Sequence, residues 1–562
     1  NVYHGLSLIP AAWVDGIQIT KGAGSVVNGY ESMAGQINIE LKKPFGKENL
    51  LLDQFVAQSG RAETDFMYRK DINKNLATNL FARASFNPRI NDRNQDGFLD
   101  MPVGKQFQVL NRWQYANENG LEGIVSVGYI DDAHNGGQVA SHEGDNNAYG
   151  LGLSTKKFDA VAKVGKVLKG KPNTSIGTQF MFNNLQFDGE FGNVNNGRNY
   201  NASSSTLYMN LMYQSYIGNT NHQFQTGLSL QSDDMEESFE DYKFSRIETV
   251  PGAFFEYTYK PKETFSLVGG IRTDYNLIYG WSITPRIHSK YRFNKEKTAL
   301  RLSAGMGRRT SNPLAQNQQI FASSRQLQFF TSNLDFPYGL EQEVSVNSGI
   351  SLQHEFRLGY MPTTVAVDFF NTTFLNEVVV DRESSARASF YNQKNGTVAN
   401  SLQAQLDLTP ARRTDIRFAY RMFDVKTQYL GYGYMPKPFI SKHRGFVNIT
   451  QKTRTKWQFS STATWYGKQR IPGATALTLP STQPIFVSKY SPSFMLINAQ
   501  VSKTFKNVFE LYIGGENLLN YTQENPIQEA ANPFDQNFDA GLVWGPIFGR
   551  MIYGGFRWRL RG

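Results

Sequence analysis

"NLFARASFN" spans residues 79–87, and the period along it decides the fold. Leu80, Ala82, Ala84 and Phe86 fall on one side of a period-two pattern, with Asn79, Arg83, Ser85 and Asn87 on the other. Successive side chains of a β-strand point to opposite faces, so this alternation predicts a strand with one apolar and one polar face. The theme recurs. In "DIRFAYRMF" (415–423) Ile416, Phe418, Tyr420 and Met422 oppose Asp415, Arg417 and Arg421. In "VFELYIGGE" (508–516) Phe509, Leu511 and Ile513 oppose Glu510 and Glu516, and in "MIYGGFRWRL" (551–560) Phe556, Trp558 and Leu560 oppose Arg557 and Arg559.

A soluble sandwich would need a second layer to hide the apolar faces, yet no amphipathic helix of three turns is visible after residue 48. A single closed sheet, apolar outside and polar inside, is stable where the outer solvent is lipid. Connection lengths agree. Short turns at 71–75, 117–120, 218–221, 294–298 and 451–456 alternate with longer stretches, roughly 88–104, 134–148, 189–202, 235–248, 308–342, 428–440, 468–490 and 518–548. Short turns on one rim and long loops on the other characterise outer-membrane barrels. The tally is about twenty-two strands, a width whose lumen is plugged. The expected fold is therefore all-β, a transmembrane antiparallel β-barrel. Trp113, Tyr115, Tyr257, Tyr259, Trp465 and Tyr466 near run ends suit interfacial girdles, and strand propensity explains them as well.

Composition is compatible with this. The 562 residues are 40% hydrophobic and 14% aromatic, with 49 Gly and no Cys. No stretch approaches the ~18 consecutive apolar residues of a membrane helix. Absence of Cys excludes a disulfide framework and Cys-based metal sites. The net charge of +10 is spread along the chain, and no nucleic-acid recognition motif accompanies it. "NVYHGLSLIPAAW" shows no signal peptide, so the start is expected to be processed, truncated or simply unresolved.

The glycine-rich run "ITKGAGSVVNGYESMAGQINIE" (19–40) is no phosphate loop: Gly24 to Gly29 has the spacing, but Tyr30 and Glu31 stand where Lys and Ser/Thr belong. Residues 36–41 then alternate as a strand instead of opening a helix. With Val14–Ile19, Lys21-Gly22, Gly24, Gly29 and Gly35-Gln36-Ile37-Asn38-Ile39, the run resembles the end of the plug domain of TonB-dependent outer-membrane receptors. "GGENLLNYT" (514–522) is similar to that family's penultimate-strand motif, through Asn517, Leu518 and Tyr521, and the last run to its terminal strand, here closing on Leu-Arg-Gly after Trp558. The overall style resembles receptors of the Bacteroidota.

The resemblance implies two parts: residues 1–47 as the C-terminal part of a plug, and residues 48–562 as the barrel. The front of the plug and the energy-coupling box are expected to be missing from this sequence. Gly22, Gly24 and Gly29 would let the plug turn tightly against the barrel wall, and Lys21 would pair with a barrel carboxylate such as Glu510 or Glu516, or simply be exposed. The implied partners are the TonB–ExbB–ExbD complex, outer-membrane lipid and lipopolysaccharide, and a surface lipoprotein, but no nucleic acid. The implied location is the bacterial outer membrane.

Three constellations carry chemistry. In "NDRNQDGFLD" (91–100) Asp92, Asn94 and Asp96 followed by Gly97 match the start of a calcium loop, with Val103 where the bidentate Glu should stand and Asp100 as a weaker substitute. An Asx-turn loop without metal is the alternative. His134 and His142 share a predicted loop with Asp131, Asp132, Glu143 and Asp145, and would bind a metal or its chelate at the rim, or be simply solvated. Arg308, Arg309 and Arg325, among amides and aromatics, would suit an anionic aromatic ligand, or pack the loop. Enzymatic signatures are missing: "HEFRL" (354–358) lacks a second zinc-protease His, and G-x-S-x-G does not occur. No resident cofactor is expected beyond a structural calcium. The resemblance thus implies an importer of a scarce ligand, first a ferric siderophore or other metal chelate, then copper, cobalamin or oligosaccharide. The competing reading is a passive or structural barrel in an outer-membrane assembly.

Overall fold

The computed structural model describes residues 5, 7–171, 173–331, 333–473 and 490–561. Twenty-two antiparallel strands among them close into one barrel, from Glu48–Ala57 to Met551–Arg561. The seam joins these two end strands, with Leu52 opposite Trp558 and Gly555 opposite Phe55.

The stretch at 79–87 shows why the barrel is inside-out relative to a soluble sheet. Leu80 and Phe86 are 39% and 55% exposed, whereas Asn79, Arg83 and Asn87 are buried. The inversion repeats along Gly280–Phe293, where Trp281, Ile283 and Ile287 face outward and Ser282, Thr284 and Arg286 face the lumen. The apolar band meets lipid, and the polar lumen satisfies its groups internally. No helix is long and apolar enough to cross a membrane.

Two expected loops prove to be strand. Residues 189–202 lie mostly within Ser175–Gly192 and Arg198–Ile217, and 235–248 within Asn219–Phe239 and Tyr242–Lys262. The last two strands are 21 residues each, about ten more than a bilayer requires. Their outer ends leave the membrane, so polar residues replace the apolar face and the alternation disappears from the sequence. Of the expected loop 468–490, residues 474–489 lie outside the described residues.

Strands Val14–Lys21 and Gly35–Leu41 form a separate two-stranded sheet. One of its faces carries Ile17, Ile19, Ile37 and Ile39, and the first three are 58%, 68% and 51% exposed. The segment between the strands packs against the inner barrel wall: Val26 and Val27 cluster with Phe254 and Met212. A second contact sets Trp13 and Leu41 against Leu51, Met67 and Phe81.

At the other end the outer loops converge on a common core. Phe98, Tyr149, Phe191, Phe321, Leu327, Tyr338, Phe390 and Phe538, from connections and strand ends around the rim, are buried together. Phe321 lies 4.1 Å, centroid to centroid, from Phe239 and 4.8 Å from Tyr200.

Candidate functional site

Residues 22–30 have no sheet partners, so their backbone carbonyls need donors from elsewhere. The barrel wall supplies them. Arg286 donates from Nη1 to the carbonyl of Ser25 (2.7 Å) and from Nη2 to those of Gly29 (3.0 Å) and Tyr30 (3.2 Å). Asn210 donates to the Val27 carbonyl (3.1 Å), and the backbone N–H of Arg308 to that of Tyr30 (3.2 Å). Arg272 reaches the Val26 carbonyl (3.4 Å) while held by Asp274 (2.8 Å). Further along, Asn79 and Arg112 donate to the Lys42 carbonyl at 2.9 and 3.2 Å. The Ser25 hydroxyl returns a hydrogen bond to Glu256 (2.6 Å).

Two glycines are closely packed, Gly22 against the wall and Gly24 within the segment itself. At Gly22, whose φ is +78°, a Cβ would lie 2.9 Å from Asn347 Oδ1 and 3.0 Å from a Phe370 ring carbon, so conformation and space both exclude a larger residue. At Gly24 a Cβ would lie 2.8 Å from Ser32 Oγ. Gly29, at φ +97°, faces open space and is required by conformation alone.

Lys21 pairs with Asp368 (2.5 Å), not with Glu510 or Glu516. The reason is position along the wall: the Lys21-Gly22 turn abuts Asn347 and Phe370, on strands that also carry Asp368. Glu510 lies 3.6 Å from Arg557, which Asp53 also holds (2.6 Å), and Glu516 is exposed at the end of its strand.

Glu31 comes next in the chain, beside an acidic wall. Its surface meets lumen water inside the surrounding barrel. Its carboxyl is pushed up to about 7, first by this enclosure and then by the charges of Asp233 and Glu248, with Arg309 opposing. Burial likewise pushes the neighbouring Tyr30 phenol up.

Above it lies a charged cavity of about 300 Å³, lined among others by Arg309, Glu343, Glu377, Arg382, Tyr429 and Lys437. Arg309 donates to Glu343 (2.9 Å) and Lys437 to Glu377 (3.1 Å). Both cations keep partly exposed side chains, at 40% and 43%. Arg382 stacks on Phe439 at 4.9 Å. Three cations, two carboxylates and aromatic rings can hold an anionic ligand with apolar parts through charge-assisted hydrogen bonds.

Only Arg309 of the three arginines singled out in the sequence lines this cavity. Arg308 precedes it in the strand Thr298–Arg309 and points to the opposite face, as period two requires. Arg325 is buried and tied to Asp539 (2.9 Å) and to the Arg382 carbonyl (3.1 Å), so it fastens loops to one another. His134 pairs with Asp132 (2.9 Å), whereas the His142 ring is 3.1 Å from Ser141. In the 91–100 loop, Asp92 accepts from the N–H of Gly97 (3.0 Å), Asp96 from that of Phe98 (2.9 Å) and Asp100 from that of Arg93 (2.8 Å), while the Asn94 amide donates to Asp96 (2.8 Å). Burial raises the Asp100 carboxyl above its ordinary value. Among the described residues no group of three or more His, Cys, Asp or Glu is arranged to hold a metal ion.

Sequence reasoning missed Arg286, Arg272, Asn210 and Asp368. Their only signal was polarity inside alternating runs, which many lumen residues share.

The sequence matches the family described as TonB dependent receptor-like, beta-barrel, over residues 55–518. No curated protein matches it by sequence. Among solved structures it is similar to the copper transporter OprC (12% identity, 98% of this chain and 86% of that one, TM-score 0.74). It is also similar to the ferric-catecholate import receptor Fiu from E. coli K12 (10% identity, 96% and 85%, TM-score 0.72) and to the siderophore receptor PiuA from Acinetobacter baumannii (13% identity, 98% and 87%, TM-score 0.71). At these identities the likeness is one of fold.

Proposed function

Because this chain belongs to the TonB-dependent receptor-like β-barrel family, a family of outer-membrane receptors and not of enzymes, we propose that it imports a metal chelate, a ferric siderophore first. The observation that carries this reading is the charged cavity of Arg309, Lys437 and Arg382, which lies beneath converging outer loops and is lined in part by aromatic rings. A ferric catecholate complex is anionic, aromatic and too large to diffuse through a narrow pore, which is the chemistry such a lining recognises.

Residues 1–47 are read as the C-terminal part of a plug whose other strands would cover the isoleucine face of the Val14–Lys21 and Gly35–Leu41 sheet. Its hold on the barrel is largely polar, and polar contacts between the segment and a wet lumen exchange readily for water. A periplasmic pull delivered through TonB, with ExbB and ExbD as the energy source, could then displace it without unfolding the barrel. The passive-barrel reading has less support, because the outer loops share a buried core over the mouth.

The test is uptake of iron-labelled siderophore by a deletion strain and its parent under iron limitation. Uptake lost on deletion and restored by the gene supports the reading. Uptake unchanged by deletion overturns the substrate, and uptake that persists without TonB overturns the coupling.

A further inference from the structure

Two turns on the inner rim, 453–456 and 506–508, stand side by side because the strands they bound pair, with Trp457 opposite Lys503. Between them lies a groove of about 570 Å³, lined by Arg454, Lys456, Lys503, Phe505, Lys506 and Phe509 among others. Short turns mark the periplasmic rim of such a barrel, and outward-facing aromatics mark the headgroup level of the membrane. Trp457 and Phe505 are 41% and 44% exposed on this outer face.

Lys503 lies on the same face. Its ammonium is 5.2 Å from the Trp457 ring centroid and 5.9 Å from that of Phe505, and it donates to the Thr455 carbonyl. The aliphatic stem thus runs along apolar surface while the charge sits at the edge. Among the described residues none of Arg454, Lys456, Lys503 and Lys506 has a carboxylate partner. The nearby Glu510 belongs to Arg557 on the lumen side. Lys456 and Lys506 also occupy left-handed backbone positions, at φ +66° and +47°, where Asn or Gly would be less strained. Four unpaired cations are therefore gathered at one spot against their mutual repulsion and against local backbone preference.

We propose that this groove binds an anionic phospholipid of the periplasmic leaflet. The phosphate sits among Arg454, Lys456 and Lys506, and the glycerol and first acyl carbons lie against Phe505, Phe509 and Trp457. Charge complementarity selects the anion, and the apolar walls select a lipid over a free ion. The sequence conceals the site, since Arg454 and Lys456 come from one turn, whereas Lys503 and Lys506 come from a strand end and the turn after it, far along the chain.

The experiment is native mass spectrometry of the detergent-solubilised full-length protein titrated with dioleoylphosphatidylglycerol, with dioleoylphosphatidylcholine as comparison and inorganic phosphate as competitor. One phosphatidylglycerol is expected to bind in preference to phosphatidylcholine. Each basic residue near a membrane surface contributes about fivefold, so K456N with K506N lowers that affinity about thirtyfold. Both substitutions suit the left-handed backbone, and retained heat-modifiable mobility on a gel shows that the barrel is intact. Should the double variant fail to fold, K503Q, outside the turns, is expected to lower the affinity about fivefold. Unchanged phosphatidylglycerol affinity in a folded variant, or equal affinity for phosphatidylcholine, overturns the proposal. Displacement of the lipid by millimolar inorganic phosphate makes the groove a free-phosphate site and overturns the lipid assignment.

Discussion

Arg286 Nη1 lies 2.7 Å from the carbonyl oxygen of Ser25, a bond between the barrel wall and a segment 261 residues earlier in the chain. The same guanidinium serves the carbonyls of Gly29 and Tyr30. At these carbonyls the wall donates and the segment's backbone accepts, so this part of the hold does not depend on the segment's side chains.

Arg286→Ala is expected to loosen residues 22–34 without unfolding the barrel. Each buried carbonyl left without a donor costs about 1–3 kcal/mol, less where lumen water replaces the guanidinium. Amide hydrogen exchange should rise about tenfold to a hundredfold in 22–34 while barrel strands keep their protection. Exchange that stays at the parental rate would remove Arg286 from this role.

The Lys21–Asp368 pair is partly exposed, with side chains at 41% and 15%. Its contribution should be about 1 kcal/mol or less. A double-mutant cycle of Lys21→Met and Asp368→Asn, read by protection of the same segment, should give a coupling within that range. A coupling of several kcal/mol would mean that this pair, and not the carbonyl contacts, dominates the hold.

Glu31 is expected to make the hold pH-dependent. Its carboxyl is raised from 4.5 to about 7, so the folded protein binds a proton that the unfolded chain has released. The stabilisation is fully present below the unfolded value and is lost as pH rises through 7, when Glu31 ionises beside Asp233 and Glu248. Protection of 22–34 should fall between about pH 5 and about pH 8, and Glu31→Gln should flatten that fall. A parental slope in the variant would assign the titration to another group.

Arg325 and Asp539 are each buried, at 3% and 4% exposure. Arg325→Ala strands a carboxylate, a change that costs about 3–5 kcal/mol. Limited proteolysis should cut within 310–342 and 517–550 while the barrel keeps its heat-modifiable mobility. Resistance equal to the parent would show that the aromatic core alone holds the loops.

Arg309→Gln with Lys437→Gln removes two cations from the charged cavity. A hydrogen bond to a charged group contributes about 1.5–3 kcal/mol, so affinity for an anionic chelate should fall by at least about tenfold. Whole-cell binding at limiting ligand measures it. Full binding in a folded variant would place the ligand elsewhere.

The barrel was legible because lipid imposes a period of two on every membrane-spanning run, as at 79–87. Legibility ended where lipid ended: around Glu236 and Lys243 the strands stand in water, either face tolerates polar residues, and the pattern reads as loop. The site was less visible for a different reason. Lys21 and Asp368 are 347 residues apart, and which carboxylate a lysine meets depends on the barrel's register. Adjacent Arg308 and Arg309 look equivalent in the sequence, although a strand sends them to opposite faces.

The seam between Glu48–Ala57 and Met551–Arg561 imposes an order on biogenesis. Until the final strand arrives, the chain is a curved sheet with two raw edges, able to add strands from any neighbour. The eleven residues Met551–Arg561 therefore act as a clasp: shortening this strand should leave an aggregation-prone ribbon rather than a slightly weaker receptor.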